Sequence, residues 1–99
     1  MSDVLRNNAK QRYELVVDGE LAELRYQLRG DRLVLVHTEV PDALEGQGIG
    51  SRLVRVAVDD ARESNLIVVP ICRFARAWLE RHPDVAATVR IEWPKDAGS

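Results

Sequence analysis

Between residues 13 and 40 apolar side chains recur at every second position, the period of a strand whose two faces meet different surroundings. Tyr13-Glu14-Leu15-Val16-Val17 predicts a strand, closed by Asp18-Gly19, a pair that favours a two-residue hairpin turn. In residues 21–29, Ala22, Leu24, Tyr26 and Leu28 share one face while Glu23, Arg25, Gln27 and Arg29 share the other. Gly30-Asp31 supplies the next turn. Residues 32–40 alternate again, with Leu33, Leu35, His37 and Glu39 on one side and Val34, Val36, Thr38 and Val40 on the other. One face of this third strand is thus expected to end in ionisable groups. Residues 1–12 are polar, include the pair Asn7-Asn8, and predict a flexible lead-in.

After Pro41-Asp42 the period changes. Ile49, Leu53, Ala57 and Ala61 recur at intervals of four, widened by Val54 and Val58, which marks the buried side of a helix ending near Asn65. Ile67-Val68-Val69 before Pro70 is short and β-branched, as expected of a strand buried on both faces. A second amphipathic helix follows Cys72, with Phe74, Ala75, Trp78 and Leu79 apolar, and His82-Pro83 stops it. Residues 88–93 alternate as a last strand, and residues 94–99 form a tail. The pattern predicts an α/β domain over residues 13–93: antiparallel N-terminal strands, then a strand-loop-helix-parallel strand unit in a mixed sheet.

The loop inside that unit is Glu45-Gly46-Gln47-Gly48-Ile49-Gly50-Ser51. Alternate glycines let the backbone turn with its N–H groups inward, and the following helix adds unpaired donors and the positive end of its dipole. Such a loop cradles phosphate. It is neither a Walker loop, which needs Gly-Lys-Ser/Thr, nor a dinucleotide fingerprint, which needs glycine where Ser51 stands. A pyrophosphate on another kind of cofactor fits better.

Composition narrows the classes. At 99 residues the chain makes one domain, so a site must be carved from one sheet and its helices. With 45% hydrophobic and 30% charged residues it is neither disordered nor membrane-embedded, and a net charge of -2 speaks against sequence-independent nucleic-acid binding. One cysteine cannot form an internal disulfide, and no signal peptide is evident, which together predict a cytoplasmic protein with no membrane or nucleic-acid partner. His82 with Cys72 is too sparse for zinc, so no metal site is expected.

His37-Thr38-Glu39-Val40-Pro41, then Gly46-Gln47-Gly48-Ile49-Gly50, then Cys72 with Phe74-Ala75, resemble the short, stand-alone branch of the GNAT superfamily of acyl-CoA-dependent N-acyltransferases over roughly residues 13–85. The resemblance implies a small GNAT-type fold that binds acetyl-CoA, or a close acyl-CoA, and transfers the acyl group to a small-molecule or peptide amine. It places the pyrophosphate on Gly46, Gln47, Gly48, Ile49, Gly50 and Ser51, and the pantetheine arm against backbone around Glu39 and Val40. Two positions depart from the family pattern. Glu45 stands where Gln or Arg is usual, and a carboxylate facing the ligand would repel it. Leu79 stands where many members carry a tyrosine general acid, and leucine donates no proton.

The remaining chemistry rests on Glu39, His37 and Cys72. Glu39 is a candidate general base, directly or through water, or else a solvated carboxylate; His37 assists it or makes a structural hydrogen bond. Cys72, at a helix start, is a candidate acyl acceptor, a lining of the pantetheine channel, or a buried small hydrophobe. Because Asp18-Gly19 joins the first strands directly, with none of the helices that shape the acceptor site in larger relatives, that side is expected to be open or completed by a partner protein or a second copy. The rival reading is a coenzyme A binding or sensing module without catalysis.

Overall fold

The computed structural model describes residues 3–95. Six strands form one sheet in sequence order: β1 (Leu5–Asn7), β2 (Arg12–Val17), β3 (Glu20–Arg29), β4 (Arg32–Glu39), β5 (Ile67–Pro70) and β6 (Arg90–Ile91). The first four pair antiparallel, and β5 and β6 join in parallel. Helix α1 (Ile49–Glu63) connects β4 to β5, and α2 (Arg73–Arg81) with the short α3 (Pro83–Ala86) connects β5 to β6. The mixed α/β architecture agrees with the sequence pattern. At the β2–β3 turn Asp18 and Gly19 take φ of 51° and 79°, the positive pair that matches a tight turn to the strand twist.

Two expectations are corrected. The polar lead-in supplies β1, whose Arg6 reaches the Tyr26 hydroxyl at 3.3 Å and Asp60 of α1 at 3.5 Å. An edge strand needs only one paired side and carries polar residues without penalty, so its sequence lacks a strand signature. The last strand shrinks from residues 88–93 to Arg90–Ile91, because Pro83 starts a further helical turn in α3 and residues 92–95 run irregularly. Of the expected tail, residues 96–99 lie outside the described residues, as do residues 1 and 2 of the lead-in.

Helices α1 and α2 lie together on one face of the sheet. That face carries Tyr13, Leu15, Ala22, Leu24, Leu33, Leu35 and Val68, which join Leu53, Val54, Ala57, Val58 and Ala61 of α1 and Ala75, Trp78 and Leu79 of α2 in one core. Every apolar position that marked the helices is therefore buried except Phe74. Tyr13, wholly buried, donates its hydroxyl to Asp60 at 2.9 Å and so ties the sheet to α1. Arg55 of α1 lies 5.4 Å over the Trp78 ring, which stacks on His82 at 4.0 Å, joining the two helices.

Among the described residues no helix lies over the other face. Charged side chains close it instead: Arg12 pairs with Glu14 and, at 3.1 Å, with Glu23, while Arg25 meets Glu23 at 3.4 Å. Glu23 is only 7% exposed, so both arginines are needed to compensate its burial. The Arg12 guanidinium, helped by Asn7, also holds the Glu14 carboxyl below the usual carboxylate range.

A β-bulge in β4 determines which residues reach the site. Tyr26 pairs with Leu35 but Arg25 pairs with His37, so Val36 is an extra residue with no opposite number. Beyond it the alternation is inverted. Thr38, opposite Leu24, lies on the helix face with Leu33 and Leu35, whereas His37 and Glu39, opposite Arg25 and Glu23, lie on the helix-free face. The strict period over residues 32–40 predicts Leu35 and His37 on the same side; the inserted residue separates them.

Candidate functional site

The glycine loop owes its shape to two different constraints. Gly46 and Gly48 take φ of 82° and 71°, a left-handed backbone that side chains disfavour, with open space where a Cβ would stand. Gly50 has no such backbone; instead the Phe74 ring lies against it, so that an added Cβ would come within 2.7 Å of Cζ unless the ring moved. The turn Asp42–Leu44 and extended Glu45 bring the chain round from β4, and α1 then starts with no side chain capping it and no acid in its first turn. Its first hydrogen bond runs from the Arg52 N–H to the Gly48 carbonyl at 3.2 Å, leaving the N–H groups of residues 49–51 without a helical acceptor. These donors line a cavity of about 310 Å³, walled by Thr38, Val40, Leu44, Glu45, Gly46, Gly48 and Phe74.

Beside this cradle, β4 and β5 part. Their pairing ends at Leu35 opposite Pro70, followed by one further bond from the Cys72 N–H to the Leu35 carbonyl at 2.8 Å. The chain then turns into α2, while β4 runs on to Glu39 with no strand among the described residues on that side. A second cavity of about 380 Å³ occupies the gap, lined by Val36, His37, Thr38, Ile71, Cys72, Arg73 and Phe74. The Cys72 side chain, 7% exposed, lies 3.1 Å from the Thr38 hydroxyl, close enough for a hydrogen bond with either atom as donor.

Of the residues singled out in the sequence, Val40, Gly46, Gly48, Ile49, Gly50 and Ser51 line the cradle, and His37 and Cys72 line the cleft. Gln47 is exposed and lines neither. Glu39 is exposed on the helix-free face and is also absent from both linings. The three residues proposed for chemistry are therefore split between the two sides of β4. Leu79 is 1% exposed in the core and presents no side chain to the cleft. Thr38 and Phe74, shared by both cavities, were not singled out for the site. A bulge leaves no periodic trace, and Phe74 falls in the apolar register of α2, where core is the natural reading.

A parallel strand pair that separates beside an uncapped helix start, across a glycine loop, defines the acyl-transferring GNAT fold. The chain belongs to the GCN5-related N-acetyl-transferase family, whose profile matches residues 12–89. A solution structure of a GCN5-like protein from Staphylococcus aureus, provisionally assigned as an N-acetyltransferase, superposes with a TM-score of 0.71 over 99% of this chain and 97% of that one, at 27% identity. Protein NATD1 from Gallus gallus is 38% identical over 63 residues, 63% of this chain and 57% of that protein. The Homo sapiens protein of the same name is also 38% identical, over 56% of its length. The chain thus aligns with little more than half the length of these relatives. Among the described residues no helix is long and apolar enough to cross a membrane.

Proposed function

We propose that the chain binds acetyl-CoA, or a close acyl-CoA, and transfers the acyl group to an amine. The observation that carries this reading is the junction of two cavities at Thr38 and Phe74: a cradle of free backbone donors on one side and a polar-edged cleft holding a thiol on the other. The cradle fits a pyrophosphate, because uncapped N–H groups at a helix start have no other acceptor and no first-turn acid opposes the charge. Glu45 lines the same cavity, so its carboxylate weakens binding to whatever extent it faces the phosphates. The unpaired edge of β4 at residues 36–39 offers backbone groups to an amide-bearing arm, as a missing strand would.

When bound, an acyl-CoA supplies an activated thioester whose thiol is a good leaving group. The chain's own residues position and deprotonate. His37 lines the cleft and is the group we place as proton acceptor for the incoming amine; Glu39, on the same face of β4, acts on it only through the exterior. Thr38 and Cys72 close the inner wall. A small-molecule or peptide amine approaches from the helix-free side, which a partner protein or a second copy could complete.

Calorimetric titration with acetyl-CoA and with free coenzyme A tests the binding. Release of thiol across a panel of amines, with His37→Gln compared, tests the chemistry. Binding with amine-dependent thiol release that falls about 10²-fold or more in His37→Gln supports the enzyme. Binding with no amine-dependent release supports the coenzyme-sensing module, which buried Leu79 favours by leaving the usual acid position without a proton donor. Absence of binding overturns both.

A further inference from the structure

Phe74 is the chain's only phenylalanine, and it is 41% exposed while Ala75, Trp78 and Leu79 of the same helix are buried. Its ring does not enter the core with them. It lies across the first turn of α1, where a Cβ at Gly50 would stand 2.7 Å from Cζ and 2.8 Å from Cε2, so that any larger residue there would push this ring aside. The ring also belongs to both cavities, facing the glycine loop on one side and Cys72 on the other. Thr38 is the other shared residue, and the β3–β4 pairing fixes it in place. One side of the passage is therefore a strand, and the other is a single ring on rotatable bonds, open to solvent.

A ligand with a pyrophosphate at one end and a thioester at the other fills both cavities and so passes between Thr38 and Phe74. We propose that the Phe74 ring is a ligand-displaced door, a reading that rests on the coenzyme assignment above. Closed, the ring covers Gly50 and separates the cradle from Cys72. When one ligand occupies both cavities, the ring swings off Gly50 and lies along the ligand's arm, positioning it against the edge of β4. The movement needs only side-chain rotation, because the contacting atoms are those farthest from the backbone. Gly50 sits in helix with ordinary dihedrals, so its lack of a side chain serves the closed ring rather than the turn.

Two singular residues make the door visible. Uniform 4-fluorophenylalanine labelling yields one 19F resonance, and Cys72 is the one thiol an alkylating reagent can meet. The labelled protein is titrated with acetyl-CoA and separately with inorganic pyrophosphate, with calorimetry in parallel. Saturation with acetyl-CoA is expected to move the resonance, while pyrophosphate, which fills the cradle alone, leaves it in place. Gly50→Ala, which pushes the ring away, is expected to move the free resonance and raise the rate of Cys72 alkylation by a maleimide about tenfold or more. Phe74→Leu is expected to raise that rate equally without altering α1. Heat of binding with an unmoved resonance overturns the door and leaves the coenzyme assignment standing; no heat overturns both. A shift produced by pyrophosphate alone, or unchanged alkylation in both variants, also overturns the door.

Discussion

Replacing Gly50 by alanine should change stability by an amount that depends on Phe74, and the structure supplies the terms. Alanine in a helix is favoured over glycine by about 1 kcal/mol, less near the first turn, where Gly50 lies. Against this, the added Cβ would stand 2.7 Å, 2.8 Å and 3.4 Å from three ring atoms of Phe74. Carbon atoms rest at about 3.5–4.0 Å, so the ring tip must retreat by about 1 Å. Because the tip is the far end of the side chain, a modest rotation suffices, at a cost of about 0.5–1 kcal/mol. Gly50→Ala is therefore nearly neutral in the parent chain. In a Phe74→Ala background the obstacle is gone, and the same change stabilises by about 0.5–1 kcal/mol. Phe74→Ala alone costs about 1 kcal/mol, well below a fully buried phenylalanine, because the ring is 41% exposed. Urea denaturation of the four proteins closes the cycle. An equal effect of Gly50→Ala in both backgrounds would falsify the contact as the reason for glycine at this position.

Three further outcomes follow from the geometry. Gly48→Ala meets no neighbour but keeps φ of 71°, so it should cost about 1–2 kcal/mol in backbone strain, read as a lower urea midpoint; a neutral result would mean that the loop relaxes freely. Tyr13→Phe removes the hydroxyl bonded to Asp60 at 2.9 Å and should cost about 1–2 kcal/mol. Burial, then Asp60, raises the Tyr13 ionisation above its ordinary value, so this residue's contribution is complete below about pH 10 and fades as pH rises further; an alkaline limb unchanged in the phenylalanine variant would contradict this. Glu14 is shifted the opposite way, chiefly by its hydrogen bond to Arg12, so its contribution is complete above roughly pH 4–5 and is lost as pH falls through the lowered value. Glu14→Gln should flatten the acid limb of stability, and an identical slope in both proteins would refute the assignment.

Periodicity located the strands and helices because each has one face buried and the other wet. Leu53, Ala57 and Ala61 repeat every four residues since α1 lies on the sheet, and Leu15, Ala22 and Leu24 mark β2 and β3 for the same reason. β1 escaped because an edge strand with Arg6 and Asn7 has little to bury. Glu23 shares the polar face of β3 in the sequence pattern, yet it is buried with Arg12 and Arg25 as its ion-pair partners, a collective effect that single positions do not display. The glycine loop was legible as a phosphate cradle, since positive backbone dihedrals and a helix start leave a local signature. The relation between loop and cleft was not: it depends on Val36, an ordinary valine whose extra register place appears only when β3 and β4 are aligned.

That inserted valine also constrains how the chain can change length. Deleting Val36 would remove the bulge and leave Thr38 on the helix face and His37 outside, whereas flattening the bulge with Val36 retained would slip the ladder by one residue and exchange the occupants of the two sides of β4. In the flattened strand His37 would turn toward the thiol and Thr38 away from it, with no atom of the cleft itself mutated. Divergent sequences that share this architecture should therefore keep the extra residue as a bulge or lose it outright, since both leave the place of Thr38 facing the thiol. A library built on this scaffold should vary the identity of residues 37 and 39, on the exterior side, while holding the residue count between Leu35 and Pro41 constant.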